Sequence, residues 1–184
     1  MSGPDRSTPI GKSIDAYLKG EAQQEDHVIH LLFSANRWEA AAQIRADIAE
    51  GITVVVDRYY YSGIVYSAAK DRLDLTLKWA WAPEVGLPRP DVCLFLDVTP
   101  EAAAGRGGFG NEKYENSKMQ QRVRELFYEL LRLPGGEDVR VVNAGQPMDE
   151  VAQEMFGLVE VILRGEKKSQ SLQNILPWAD QHGT

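Results

Sequence analysis

Three short segments, rich in apolar and β-branched residues, restrict the possible folds of this chain most strongly. They are ITVVVD at residues 52–57, a segment at about 92–97 within PRPDVCLFLDV, and VRVVNA at 139–144. None of them alternates apolar and polar residues, as a strand with one solvated face does, so each is expected to be a strand buried on both faces of a parallel sheet. Segments with helical spacing separate them. The pattern predicts an α/β fold, a parallel sheet with helices on both faces.

The chain begins with the turn-like GPDRSTP and no strand before it. Three predicted strands are fewer than the five or six of an average sheet. We therefore expect an α/β domain over residues 1–164 that is incomplete at its amino terminus. Helices are predicted at 25–50, 62–70 and 74–82, with two more after the glycine-rich loop. A polar carboxyl-terminal tail over 165–184, loose apart from Trp178, is expected to follow.

The Gly-Lys-Ser at residues 11–13 resembles the end of a phosphate-binding P-loop, but its context differs. A P-loop has a glycine five positions before its Gly-Lys pair, directly after a buried strand. Here the position five before Gly11 is Arg6. Pro4 and Pro9 also remove backbone N–H donors that would bind phosphate. The segment is instead predicted to be a short helix with Thr8 as its N-cap. Its apolar face comprises Ile10, Ile14, Tyr17 and Leu18, and Gly20 ends it.

The composition excludes several classes of protein. A net charge of −7 and a pI near 5.0 argue against broad non-specific binding of nucleic acid. One cysteine, Cys93, excludes a disulfide framework. No apolar segment has the length needed to cross a bilayer, so no membrane partner is expected. These properties indicate a soluble protein of the cytoplasm, or of the cytoplasm and nucleus.

Charged residues follow the first predicted strand, where open α/β sheets bind their ligands. Asp57 there resembles the carboxylate that orders Mg²⁺ after a buried strand, and Arg58 beside it is suited to phosphate. The alternative is that this pair only ends a turn. In HLLFSANRWE, Phe33 and Arg37 lie four residues apart and share a helix face, which suits stacking on a base and hydrogen bonding to its edge. The alternative is a core phenylalanine beside a surface ion pair.

The glycine-rich segment GRGGFGNEK at residues 105–113 contains Arg106 and Lys113. A mobile basic loop of this kind can close over phosphates and exclude water. The alternative is an ordinary glycine-rich surface loop.

The segments DRSTPIG, HLLFSANRWE, DRYYYSGIVYSAAK, PEVGLPRPDVCLFLDV and GGFGNEKYE, in this order, closely resemble eukaryotic thymidylate kinase, particularly its fungal form. The resemblance extends to about residue 165. It implies the P-loop NTPase fold of the nucleoside monophosphate kinases, a homodimer, and transfer of the γ-phosphoryl group of ATP to dTMP, with Mg²⁺ as cofactor. In line transfer of this kind depends on positioning and charge neutralisation.

The resemblance also implies roles for individual residues. For dTMP they are Arg6 and Arg58 at the phosphate, Phe33 and Arg37 at the base, and Tyr66, Tyr114 and Gln120 around the sugar and the acceptor site. The catalytic residues are Asp57, Arg58, Arg106 and Lys113, with Asp57 holding Mg²⁺ directly or through water. ATP would contact Arg106 and the loop Asn143, Ala144, Gly145 and Gln146.

One departure from the family is large. The family begins with a strand, a P-loop, a helix and a second strand, and none of these has a counterpart here before Arg6. The chain is therefore expected to lack the first two strands and to be poorly stable or prone to aggregation when alone. A cooperative thermal unfolding transition above about 45 °C would contradict this expectation. Two hypotheses follow: a dTMP kinase whose full-length form is the enzyme, or an impaired isoform that keeps part of the dTMP pocket without ATP turnover.

Overall fold

The computed structural model describes residues 3–99, 102, 114, 117–133, 136, 138–164 and 171–178. Its helices are α1 (Pro9–Leu18), α2 (Asp26–Ala49), α3 (Tyr60–Ala68), α4 (Leu77–Trp81), α5 (Ser117–Leu131) and α6 (Met148–Leu163). Its strands are β1 (Cys93–Asp97) and β2 (Val139–Asn143), and a 3₁₀ turn, Ala82–Glu84, follows α4. The predicted α/β class is confirmed. Among the described helices, none is long and apolar enough to cross a membrane.

The two strands form a parallel sheet in which Cys93 lies opposite Val139 and Asp97 lies opposite Asn143. Val139 and Val142 are buried, as a strand under helices should be. Leu96 and Val141, however, are exposed. The prediction that these strands are buried on both faces is therefore wrong for part of the sheet.

Residues 52–57 lie outside the described sheet, so the prediction of a buried strand there is also wrong. Val55 is 74% exposed, and Ile52 is exposed as well. An apolar segment becomes a buried strand only beside neighbouring strands and beneath covering helices. The described sheet contains β1 and β2 alone, and β1 pairs with β2 rather than with this segment.

The segment PIGKSIDAYL is helix α1, which confirms that Gly-Lys-Ser at 11–13 is helical. The Thr8 Oγ1 atom accepts the Gly11 amide at 3.0 Å, Pro9 begins the helix, and Gly20 follows it at φ 77°. Position 11 must be glycine because a Cβ atom there would lie 1.7 Å from the Asp5 carbonyl oxygen. The start of α1 therefore packs tightly against the turn that carries Arg6.

The largest group of buried side chains surrounds α3, which packs against α4 on one side and α5 on another. Tyr60, Ile64 and Val65 of α3 are almost completely buried. Helix α5 contributes Val123, Leu126, Phe127 and Leu130, which recur with helical spacing and are buried. Because α3 is fixed on several sides, the residues that precede it, Asp57 and Arg58, adjoin a rigid element.

Residues 171–178, here called the carboxyl-terminal strap, pack on the domain. Ile175 is 2% exposed; its carbonyl accepts the Gly86 amide, and its own amide donates to the Leu87 carbonyl, both at 2.9 Å. The Trp81 Nε1 atom donates to the Leu176 carbonyl at 2.9 Å. The expectation of a loose tail is therefore wrong for these residues, because one buried isoleucine and a short backbone ladder hold them in place.

The strap should contribute measurably to stability. We expect Ile175→Ala to lower the free energy of unfolding by about 2–5 kcal/mol, since it removes a buried side chain and leaves a cavity. Leu176→Ala is the matched control, because Leu176 is 50% exposed, and its effect should stay within about 0.5 kcal/mol. Urea unfolding measures both. Equal losses in the two variants would show that the strap does not pack as described.

Candidate functional site

A cavity of about 380 Å³ lies between α1, α2 and α3, within the size range of small-molecule sites. Eight of the residues singled out in the sequence line it: Arg6, Phe33, Arg37, Asp57, Arg58, Tyr66, Tyr114 and Gln120. They come from segments far apart in the chain. The structure thus brings together the seven residues that the resemblance assigns to dTMP and Asp57, which it assigns to Mg²⁺.

Phe33 and Arg37 lie one turn apart on α2 and both line the cavity. Phe33 is half-buried and packs against the cluster formed by α1 and the start of α2. Arg37 forms an ion pair with Glu84, as the alternative interpretation of the sequence allowed, but the pair is buried rather than on the surface. Arg37 therefore lies in the cavity wall with its guanidinium fixed.

Glu84 holds that guanidinium, and Gly63 leaves room for it. The Arg37 Nε atom donates to Glu84 Oε2 at 2.8 Å, and its Nη2 atom donates to Glu84 Oε1. Glu84 itself is 0% exposed. On another side, a Cβ atom at Gly63 would lie 2.8 Å from Arg37 Nη2, so only glycine leaves room for the guanidinium there. The glycine of the DRYYYSG motif thus has a packing reason.

His30 also lines the cavity, and it is almost completely buried. Its Nε2 atom is 2.9 Å from the Ala80 carbonyl oxygen, which can only accept, so Nε2 carries the proton. Nδ1 therefore accepts a hydrogen bond from Ser67 Oγ, at 2.7 Å. Burial, with a further contribution from the Arg37 charge, lowers the pKa of His30 to about 4. His30 is thus a neutral residue of the cavity wall.

This depressed pKa predicts a pH dependence of stability. Between pH 6.5 and 4 the unfolded chain binds a proton at His30 that the folded chain does not bind, so the free energy of unfolding falls as the pH falls. The contribution of His30 to the free energy of unfolding is present in full above pH 6.5. About 3 kcal/mol of it should be lost by pH 4, at about 1.4 kcal/mol per pKa unit. Urea unfolding across this range measures the slope. His30→Gln should flatten it, and an unchanged slope in that variant would contradict the assignment.

Arg58 contributes a positive charge to the cavity wall from a strained backbone. Its φ is 61°, in the left-handed region, which costs a non-glycine residue about 1–2 kcal/mol. Its Cζ atom lies 5.9 Å from the centroid of the Tyr66 ring. Strained residues cluster at functional sites, where the surrounding structure keeps them in place. The carboxylate of Asp57 precedes Arg58 on the same wall.

Arg6 reaches the cavity from a turn that Asn36 fixes. The Asn36 Oδ1 atom accepts the Asp5 amide at 2.8 Å, and its Nδ2 atom donates to Thr8 Oγ1 at 3.1 Å. Arg6 donates through Nη1 to Asp15 at 2.6 Å. Asn36 was not among the predicted site residues, although its polar side chain next to Arg37 in HLLFSANRWE was a signal for it.

Tyr66, Tyr114 and Gln120 form a connected polar group in the cavity wall. The Gln120 Nε2 atom donates to the Tyr66 hydroxyl at 3.1 Å and to the Tyr114 carbonyl at 3.0 Å. The Tyr114 hydroxyl donates to that of Tyr17 at 3.1 Å, and burial raises the pKa of Tyr114 above its usual value. This group ties α3, α5 and α1 together around the cavity.

The remaining sequence candidates lie elsewhere. Asn143 is the last residue of β2, and Ala144, Gly145 and Gln146 follow it; none of the four lines the described cavity. The Ala144 amide donates to the Asp97 carbonyl at 2.7 Å, so this loop adjoins the end of β1. Arg106 and Lys113 lie outside the described residues.

Known proteins with similar sequences belong to one family. A family model described as thymidylate kinase matches residues 1–155. A thymidylate kinase of Arabidopsis thaliana is 45% identical over 156 residues, which are 85% of this chain and 57% of the relative. One of Danio rerio is 42% identical over 163 residues, 89% of this chain and 76% of the relative.

A solved structure of thymidylate kinase from Candida albicans superposes with a TM-score of 0.83 at 36% identity. The match covers 95% of this chain and 84% of that one. The sequence and the fold therefore lead to the same assignment: this chain belongs to the thymidylate kinase family.

Proposed function

We propose that this chain supplies the acceptor site of a dTMP kinase, which transfers the γ-phosphoryl group of ATP to dTMP and yields dTDP. The observation that carries the proposal is the single cavity that joins an aromatic ring and a fixed arginine, Phe33 and Arg37, to the charged residues Arg6, Asp57 and Arg58. A nucleoside monophosphate presents the matching groups: a planar base, a sugar and a dianionic phosphate.

Each part of the cavity wall suits one part of dTMP. The Phe33 ring stacks on the thymine, and the Arg37 guanidinium, which can only donate, binds a carbonyl oxygen on the base edge. Tyr66, Tyr114 and Gln120 surround the sugar and the acceptor end. The guanidinium groups of Arg6 and Arg58 bind the phosphate, which is a bidentate acceptor.

The transfer step needs charge neutralisation beyond the arginines. Among the described residues there is no cluster of three or more side chains that could hold a metal ion. Asp57 offers one carboxylate on the cavity wall, which fits Mg²⁺, since this ion commonly binds one or two carboxylates together with substrate phosphates and water. When bound, Mg²⁺ neutralises charge on the transferred phosphoryl group. Arg106 and Lys113 would cover the phosphates, and Asn143, Ala144, Gly145 and Gln146 would border the adenine.

Two measurements test the proposal. Calorimetric titration should show that the chain binds dTMP more tightly than dCMP or dAMP. An assay with radiolabelled ATP, Mg²⁺ and dTMP should show formation of dTDP. Failure of the chain to bind dTMP would overturn the proposal, whereas binding without transfer would restrict it to the acceptor site.

We also propose that the protein is a homodimer that associates through α2. Val28, Leu31 and Trp38 are exposed and lie within one sector of this helix. An apolar stripe on a surface helix is typical of an interface. Light scattering should give twice the mass of the chain, and Leu31→Glu should reduce it to that of a monomer.

A further inference from the structure

We propose that Glu84 is a positioning residue that fixes Arg37. It thereby makes the cavity selective for a base, such as thymine, that presents a carbonyl oxygen rather than an amino group to Arg37. The inference rests on the proposed function, because it assigns the base contact to Arg37. Glu84 does not line the cavity and would not touch the nucleotide. It would act only through the arginine that it holds.

The geometry of the pair supports this role. A guanidinium has five N–H groups, and the Glu84 carboxylate accepts one from Nε and one from Nη2 of Arg37. The other N–H groups of Arg37 lie on Nη1 and Nη2, on the side away from these two bonds. At Gly63, a Cβ atom would lie 2.9 Å from Nη1, so a larger residue there would displace the guanidinium from this position. The guanidinium is therefore fixed in direction as well as in place.

Glu84 is itself held by the helix that carries Arg37. The carbonyl of the preceding residue, Pro83, accepts hydrogen bonds from Ser34 Oγ at 3.1 Å and from Trp38 Nε1 at 2.9 Å, both on α2. On its other side, the strap holds Gly86 through Ile175. Arg37 and Glu84 thus belong to one rigid unit.

The charges around the pair are balanced. His30 Nε2 lies 3.9 Å from Glu84 Oε1, and the lowered pKa of His30 keeps this imidazole neutral at physiological pH. The Glu84 carboxylate therefore neutralises the buried Arg37 charge, and the free N–H groups of Arg37 can bind a neutral carbonyl oxygen.

Selectivity follows from this fixed direction. A flexible arginine could turn away from a base whose edge carries an amino group, such as cytosine, and bind it with little loss. A fixed arginine instead places donors against the donors of that amino group and leaves them unpaired, which is costly. Thymine and uracil, with a carbonyl oxygen in this position, avoid the conflict.

Glu84→Gln tests the inference, because glutamine keeps the size of the side chain and removes its charge. The affinities for dTMP, dCMP and 2-deoxyribose 5-phosphate are measured by calorimetry. We expect the affinity for dTMP to fall by about tenfold or more, since a charge-assisted contact is loosened. The preference for dTMP over dCMP should shrink, and the affinity for 2-deoxyribose 5-phosphate should not change. Glu84→Asp should show a smaller loss, and Glu129→Gln, an exposed glutamate on α5, none.

Two outcomes would overturn the inference: a similar loss for all three ligands, which indicates general damage to the fold, or no loss for dTMP. A measurement without ligand tests the positioning role of Glu84 separately from the proposed function. The Nε–H resonance of Arg37, identified by its absence in Arg37→Lys, should exchange slowly with water in the wild type and fast in Glu84→Gln. If the wild type binds no dTMP, the proposed function fails, but an unchanged exchange rate in Glu84→Gln is what refutes the positioning role.

Discussion

Replacement of Arg37 with methionine is expected to lower the free energy of unfolding by about 3–5 kcal/mol, because it leaves a buried carboxylate without its partner. Glu84 is completely buried and receives two hydrogen bonds from Arg37. Methionine keeps much of the length of arginine, so the loss reports the missing charge rather than a large cavity. Urea unfolding at pH 7 measures it.

The double variant Arg37→Met/Glu84→Met distinguishes the cost of an unpaired Glu84 carboxylate from the cost of losing the ion pair itself. Removal of both partners of a buried ion pair is often close to neutral, so the double variant should recover most of the loss. Arg164→Met is the surface control, since Arg164 pairs with Glu160 at 2.6 Å and its side chain is 64% exposed. Its effect should be a small fraction of the effect at Arg37. Equal losses at the two positions would contradict the burial of the Arg37–Glu84 pair.

The part of the site that could be predicted from the sequence lies within single segments. Phe33 and Arg37 share a helix face because they are four residues apart, and α2 extends from Asp26 to Ala49 almost as the spacing predicts. Glu84 could not be found in this way, since it lies 47 residues from Arg37 in the chain. A long-range partner of this kind depends on how α2 packs against the turn after α4.

The class of the fold was predictable from the sequence, whereas the burial of individual segments was less so. Apolar spacing indicates strands at 92–97 and 139–144, and β1 and β2 form there. The same reasoning fails at residues 52–57 because it treats hydrophobicity as a property of the segment alone, whereas burial also requires neighbouring strands and helices. The strap shows the opposite error: it belongs to a tail, residues 165–184, that is mostly polar, and this composition gives no sign that Ile175 is buried in the core.

The second large effect is expected at Arg58, where a substitution should weaken the binding of dTMP strongly and change the stability little. Arg58→Asn should reduce the affinity for dTMP by about 10- to 100-fold, because it removes a charge-assisted contact to the phosphate. The affinity for thymidine, which lacks the phosphate, should not change. Asparagine tolerates the left-handed backbone conformation observed at φ 61°, so the free energy of unfolding should stay within about 1 kcal/mol of the wild type.

Comparison with Arg58→Lys shows what the guanidinium itself contributes. Lysine retains the charge but cannot bind two phosphate oxygens as a planar fork, so its affinity for dTMP should fall between those of the wild type and Arg58→Asn. All three proteins are titrated with dTMP and with thymidine at the same ionic strength, because exposed charges are screened by salt. A parallel loss of thymidine affinity in Arg58→Asn would place Arg58 at the nucleoside rather than at the phosphate. The strained backbone would then serve to orient Tyr66, the ring against which the Arg58 guanidinium lies.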